Sequence, residues 1–202
     1  MTNTSLMQPI DIKNKIILTY PGLSKYLSGL PTIEMPLPKK TSVIGSVSKI
    51  VIGQMLSRKA ASCINQRAES LAVTKGKSEI ALLSEEELRT CGVSSSKIKA
   101  IKLFSEQYYE DVDRYENWRN LDSTSLFVEV NKHWGLSNWS ASILAIFYFG
   151  FEDVYPENDG SIKRVTGLLE QKGITFNPEK AAPYRSYLAL YLWGILDQKL
   201  ID

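Results

Sequence analysis

The sequence predicts an all-α protein. Three observations carry that prediction. Apolar residues recur at three- and four-residue spacing in one segment after another. The segments open at Ser, Asp or Pro and close at Gly, as helices do. No hairpin signal or run of alternating strands interrupts them. About nine or ten helices are expected on this pattern, with at most a minor strand in a lead-in marked by Pro21, Pro31, Pro36 and Pro38.

The elements follow in order. Val43, Val47, Ile50, Val51 and Leu56 share one face of a first helix. A second runs from Arg58 to about Leu71. Ser84 and Glu87 form a capping box, in which hydroxyl and carboxylate satisfy each other's backbone donors, and Gly92 stops the short helix they start. From Ser95 to about Val112, Ile98, Ile101 and Phe104 share an apolar face. Lys97, Lys99 and Lys102 lie opposite and read as solvated charges, as do Lys163 and Arg164 further on. Asp122 or Ser123 caps a helix through Val130, and Asn131 to Asn138 is a turn around Gly135. Trp139 to Phe149 is the most apolar stretch, a buried helix ended by Gly150. Tyr155 to Asn158 is a loop, followed by a helix from Asp159 to about Glu170 with Gly173 behind it. Pro183 belongs in the first turn of a last helix that reaches about Asp197.

A chain of 202 residues, 44% of them apolar, can bury a continuous core. A net charge of +2 excludes a uniformly basic nucleic-acid coat, but the charge is uneven: residues 1–83 carry +7, 84–130 carry −4 and 131–202 carry −1. That asymmetry suits one polyanion-facing surface on a neutral body. No window approaches the roughly eighteen apolar residues of a membrane span. The start, MTNTSLMQPIDIK, lacks the pattern of a secretory signal. Cys63 and Cys91 are too few for a disulfide framework or a four-thiolate metal site. An intracellular protein without a metal centre is the expectation.

Three segments stand out by their order. The first is Ile52-Gly53-Gln54-Met55-Leu56-Ser57-Arg58-Lys59-Ala60-Ala61, at a helix junction. The second is His133-Trp134-Gly135-Leu136-Ser137-Asn138-Trp139-Ser140-Ala141, and the third runs from Asp153 through Tyr155, Pro156 and Asp159 to Arg164. Together they resemble the helix-hairpin-helix superfamily of DNA glycosylases, most closely the AlkA-type 3-methyladenine DNA glycosylases, and Pro183 to Trp193 looks like that group's closing helix. The resemblance spans roughly residues 20–196.

The resemblance implies a helix-hairpin-helix glycosylase fold, with two helical lobes flanking an active-site cleft, in a single domain over 1–202. Within it, 1–40 is a lead-in packing on the C-terminal lobe, 41–130 a central lobe, and 131–202 the hairpin, catalytic aspartate and closing helices. It further implies a monomeric base-excision-repair enzyme that flips alkylated purines out of double-stranded DNA and hydrolyses the N-glycosidic bond. Asp159 is then the catalytic carboxylate, stabilising cationic charge on the sugar and orienting a water, although an aspartate there is also an ordinary N-cap. Trp139 and Trp193 line the base pocket, with Tyr148, Tyr155 and Tyr187 as further candidates or core residues, because a cationic alkylpurine is drawn to aromatic faces. Ile143 stands where the group often has a pocket tyrosine.

Met55 corresponds to the side chain wedged into the gap left by the flipped nucleotide. Gln54 sits beside it in the minor groove, Ser57 caps the next helix, and Arg58 and Lys59 face the DNA. Trp134, Gly135, Leu136, Ser137 and Asn138 form the phosphate-gripping turn, with Lys163 a further contact. Ser137 replaces the family's second hairpin glycine, and Asn158 and Gly160 depart from the aspartate's usual neighbours.

Strand-cutting members carry a hairpin lysine where Trp139 stands, so no AP lyase activity is implied. The iron–sulfur branch needs four C-terminal cysteines that this chain lacks. No cofactor is required, although a monovalent cation (Na or K) at the hairpin carbonyls belongs to the resemblance. His133, the only histidine, reads as a DNA-contacting or solvated turn residue before a general base. Two other readings stay open: a helix-hairpin-helix DNA-binding protein without catalysis, and a structural all-α protein unrelated to DNA.

Overall fold

The computed structural model describes residues 7–175 and 177–202; part of the polar start of the chain, residues 1–6, lies outside the described residues. Eleven α-helices and no strand occur among the described residues. The chain divides into two compact units, one of Met1–Leu37 with Gly150–Asp202 and one of Pro38–Phe149.

In the continuous unit, α3 (Val43–Gly53) starts where Ser42 Oγ accepts from Gly45 N, and nearly every one of its residues is buried. A helix apolar on all sides must be surrounded, and α4 (Arg58–Thr74), α6 (Ser95–Glu110) and α9 (Asn138–Leu144) pack around it. The capping box of Ser84 and Glu87 opens α5 (Glu85–Thr90) as expected. The helix begun at Ser95 ends at Glu110 rather than Val112. Asp111 breaks it and caps α7 (Val112–Glu116) by accepting from Arg114 N at 3.1 Å. Of the two cap candidates for α8 (Ser123–Val130), Asp122 is the one used, accepting from Ser125 N at 2.9 Å. The apolar stretch 139–149 is α-helical only to Leu144 and continues as a π-turn, Ala145–Phe149, before Gly150 turns away at φ 73°.

Lys97 and Lys102 are not the solvated charges expected. Burial pushes both amines below the usual lysine range, and each donates to two backbone carbonyls, Lys102 to those of Ala81 and Leu83. His133 also departs from expectation. It is 7% exposed, with its ring against Phe104, Tyr115 and Trp118. Its Nδ1 shares a 2.6 Å hydrogen bond with Gln107 Oε1, its Nε2 has no hydrogen-bond partner, and burial pulls its pKa down. It is a core residue and is not positioned to contact DNA.

In the discontinuous unit, the described residues of the Pro-punctuated lead-in hold no strand but two helices that the sequence reading missed, α1 (Pro9–Thr19) and α2 (Ser24–Leu27). Both pack on α11 (Arg185–Asp197), as does α10 (Gly160–Gln171). Ile12, Ile16, Leu23, Leu27, Leu188, Tyr191 and Leu192 form the core. Truncating one such aliphatic residue to Ala would cost about 2–5 kcal/mol. The lead-in closes on this core through Lys13, which donates to Leu30 O at 2.6 Å, and Tyr191, whose hydroxyl accepts from Ile33 N at 3.2 Å. Pro183 lies outside α11, two residues before its first turn, because Tyr184 intervenes as N-cap.

Candidate active site and nucleic-acid interface

Asp159 is the N-cap of α10 and is 8% exposed. Its Oδ1 accepts three N–H groups, from Ser161 N, Ile162 N and Trp193 Nε1, each at 2.9 Å. Three donors on one oxygen fix the rotation of the carboxylate, and the helix dipole favours negative charge there. Oδ1 does the capping of α10, and the three donors hold the carboxylate in one orientation. Trp193, expected as a pocket wall, is also the donor that locates this group.

The loop leading to Asp159 is held by consecutive residues of α11. Arg185 grips both carboxylate oxygens of Asp153, at 2.8 and 3.1 Å. Ser186 Oγ accepts from Val154 N at 2.9 Å and donates toward Phe151 O at 2.7 Å, while Ser186 N donates to Glu152 O at 2.9 Å. Tyr187 is buried and sends its hydroxyl to Glu152 Oε1 at 3.4 Å. That environment pushes its pKa up to about 12 and makes it part of the scaffold. Sequence reasoning missed Arg185 and Ser186. The signal available was an Arg-Ser pair opening the last helix, with Glu152-Asp153 ahead of the loop to Asp159.

The hairpin turn depends on Gly135. Its φ is 81°, and a Cβ there would stand 2.7 Å from the Cβ of Ala100, so conformation and space both demand glycine. Leu136 N closes the turn on His133 O at 3.1 Å. Ser137, an exposed residue, occupies the N-cap position of α9, and its hydroxyl makes no capping bond. Asn138 accepts from Asn131 Nδ2. Trp134 is 49% exposed, with the Lys99 ammonium 4.7 Å above its ring.

In the same unit, the junction of α3 and α4 projects Met55. The side chain is 100% exposed on a backbone at φ 56°, a conformation that costs an L residue about 1–2 kcal/mol. Ser57 caps α4 by accepting from Ala60 N at 3.2 Å, and Arg58 and Lys59 are exposed beside it. Gln54 differs from the expectation of a residue reaching into a groove. Its Nε2 donates inward to Gly135 O at 2.9 Å and Ser140 Oγ at 3.2 Å. A groove of about 420 Å³ lies between Met55, Leu56, Ser94, Ser96 and Trp134.

The remaining aromatic candidates divide by unit. Trp139 and Tyr148 lie in Pro38–Phe149, both half-buried, and the Lys39 ammonium sits 4.5 Å over the Tyr148 ring. Tyr155 is in the other unit, half-buried, and its hydroxyl is pushed up by burial and then by the neighbouring Tyr20 and Glu157. Lys163 is exposed and reaches Asn158 Oδ1 at 3.3 Å. No group of three or more His, Cys, Asp or Glu that could hold a metal ion occurs among the described residues.

The fold is shared with DNA glycosylases of solved structure, and the chain is similar to 3-methyladenine enzymes. DNA-3-methyladenine glycosylase 1 of Schizosaccharomyces pombe is 28% identical over 157 residues, covering 72% of this chain and 68% of that protein. The structure of a Schizosaccharomyces pombe 3-methyladenine DNA glycosylase in complex with abasic DNA matches with a TM-score of 0.80 at 23% identity, over 93% of this chain and 97% of that one. The DNA-3-methyladenine glycosidase of Bacillus halodurans matches with a TM-score of 0.69 at 25% identity, over 91% and 88%. No family model matches the chain. No helix among the described residues is long and apolar enough to cross a membrane.

Proposed function

We propose that the chain is a monofunctional DNA glycosylase of base-excision repair that excises 3-methyladenine- and 7-methylguanine-type purines from duplex DNA. The observation that carries the reading is Asp159, buried, capping α10 and oriented by Trp193. As the N-glycosidic bond breaks, its electron pair leaves with the base and positive charge grows on the sugar. The fixed carboxylate stabilises that charge and directs a water to C1′, whose proton is released. A base that begins cationic departs neutral, so alkylation itself makes the leaving group good. Met55 fills the vacated position in the stack. The turn from Trp134 to Asn138, with Arg58, Lys59 and Lys163, meets phosphates. Trp193 and Tyr155, in the unit that holds Asp159, are aromatic groups offered to the base.

With Trp139 where a Schiff-base lysine would stand, hydrolysis leaves the strand uncut. The chemistry needs no cofactor. A monovalent cation at the hairpin fits the donor set, since His133 O and Gly135 O each accept one hydrogen bond and keep a second lone pair. The enzyme would act inside the cell, as a monomer.

The test is base release from duplexes carrying 3-methyladenine, 7-methylguanine, deaminated bases and ethenoadenine in parallel. Release of the methylated purines with intact strands supports the reading. Binding without release of any base instead supports the second reading, a non-catalytic DNA-binding protein, which the departures at Ser137, Asn158 and Gly160 favour. Borohydride trapping of a covalent adduct would overturn the hydrolytic mechanism.

A further inference from the structure

A helix leaves its last four carbonyls without internal partners. At the end of α3 all four are accounted for: Gln54 N donates to Ile50 O and Val51 O, at 3.1 and 3.3 Å, and Leu56 N donates to Gly53 O at 3.2 Å. The fourth, Ile52 O, receives the Lys97 ammonium at 2.8 Å, and the same nitrogen reaches Gln54 O at 2.7 Å. Lys97 comes from α6, 43 residues beyond Gln54 in sequence. It places a positive charge where the helix dipole is negative and spans the residues that flank Gly53. The next residue, Met55, holds a left-handed backbone that an L residue keeps only when its surroundings impose it. From the other side, Gln54 Nε2 binds Gly135 O and Ser140 Oγ.

We propose that Lys97 is a positioning residue for the wedge: its ammonium, seated in the open end of α3, holds Met55 outward, and the Gln54 amide ties that loop to the hairpin turn, so that wedge and phosphate grip keep one register. The proposal rests on the reading of Met55 as the residue that replaces the flipped nucleotide. Burial lowers the affinity of the Lys97 amine for its proton, and the carbonyls of Ile52 and Gln54 receive its donors in place of solvent. Lys97 does not touch the sugar or base in this scheme; it acts through Met55.

The test is a double-mutant cycle on the full chain, read as single-turnover release of 7-methylguanine. Lys97→Met should slow release about tenfold, the equivalent of one lost charged hydrogen bond. Affinity for undamaged duplex should change by less than about twofold, and Lys97→Arg should retain most of the rate. In a Met55→Ala background the same Lys97→Met change should cost less than about twofold, because the side chain it positions is gone. Equal losses in both backgrounds would mean a merely structural lysine and overturn the proposal. In the free protein, ¹⁵N relaxation of the Met55 and Leu56 amides should show lost order in Lys97→Met; unchanged order also overturns it. Gln54→Met, which cuts the second tie alone, is read in the same ways if Lys97→Met fails to fold. Wild-type protein that releases no base would refute the glycosylase reading, while the relaxation result alone would decide the clamp.

Discussion

Replacing Asp159 by Asn and by Ala separates the cap from the chemistry. With Asn in place, the Oδ1 oxygen can still accept from Ser161 N, Ile162 N and Trp193 Nε1, and Asn caps helices as well as Asp does. Stability should therefore move by less than about 1 kcal/mol. With Ala in place, those three donors lose their acceptor at a site that is 8% exposed. Loss of the cap costs about 1 kcal/mol and a buried indole N–H left unpaired about 1–3 kcal/mol. Asp159→Ala should thus be destabilised by about 2–4 kcal/mol, or roughly 4–16 °C in Tm for a chain of this size. Under the proposed mechanism both variants lose the negative charge that stabilises the cationic sugar, so both should release 7-methylguanine about 100-fold or more slowly. Urea or thermal unfolding gives the first quantity and single-turnover base release the second. An Asp159→Asn protein working at the wild-type rate would refute the catalytic assignment. The same variant melting as low as Asp159→Ala would refute the account of the cap.

Three further outcomes are expected. Gly135→Ala should lose about 2–4 kcal/mol in urea unfolding, from the positive φ and the 2.7 Å approach to Ala100 together, and should weaken binding to undamaged duplex. Lys102→Met should destabilise the fold by about 1–3 kcal/mol, since the carbonyls of Ala81 and Leu83 lose their shared cation; a change below about 0.5 kcal/mol would refute that role. His133 gives a pH dependence whose sign follows from its depressed pKa: Arg114 and Lys132 add to the desolvation that keeps it neutral, outweighing Glu129. The unfolded chain binds the proton first, so this stability is complete above about pH 6.5 and falls below it by up to about 1.4 kcal/mol per unit. His133→Phe should flatten the stability curve between pH 7 and 5, and an unchanged slope would refute the assignment.

What the sequence reveals here is mostly local. The caps at Ser84, Asp122 and Asp159 were legible because a capping side chain and its target lie within three residues, and Gly135 because a positive φ has few alternatives. Met55 stood out only through its place in a motif, and the structure adds that it projects. The rest is decided at long range. Whether Lys97 and Lys102 are solvated depends on carbonyls that end other elements, and whether His133 is core depends on a wall supplied by α6, α7 and the turn after it. The lead-in helices were hidden by their prolines: Pro9 begins α1 at a position where a missing N–H costs nothing, and the later prolines lie beyond it or in a single turn. Pro183 misled in the opposite sense, a helix-starting residue placed two positions early.

The unit that holds Asp159 is assembled from both flanks of the other one. On a ribosome, α1 and α2 emerge before 38–149, yet the helix that covers Ile12, Ile16 and Leu27 follows that stretch, on the order of 10–30 s later at ordinary elongation rates. The stretch 38–149 is contiguous and can close while synthesis continues. A nascent chain therefore completes the turn at Gly135 and the Met55 junction before Asp159 is added, and under the proposed function a product stalled near residue 150 would carry the DNA-gripping elements without the catalytic carboxylate.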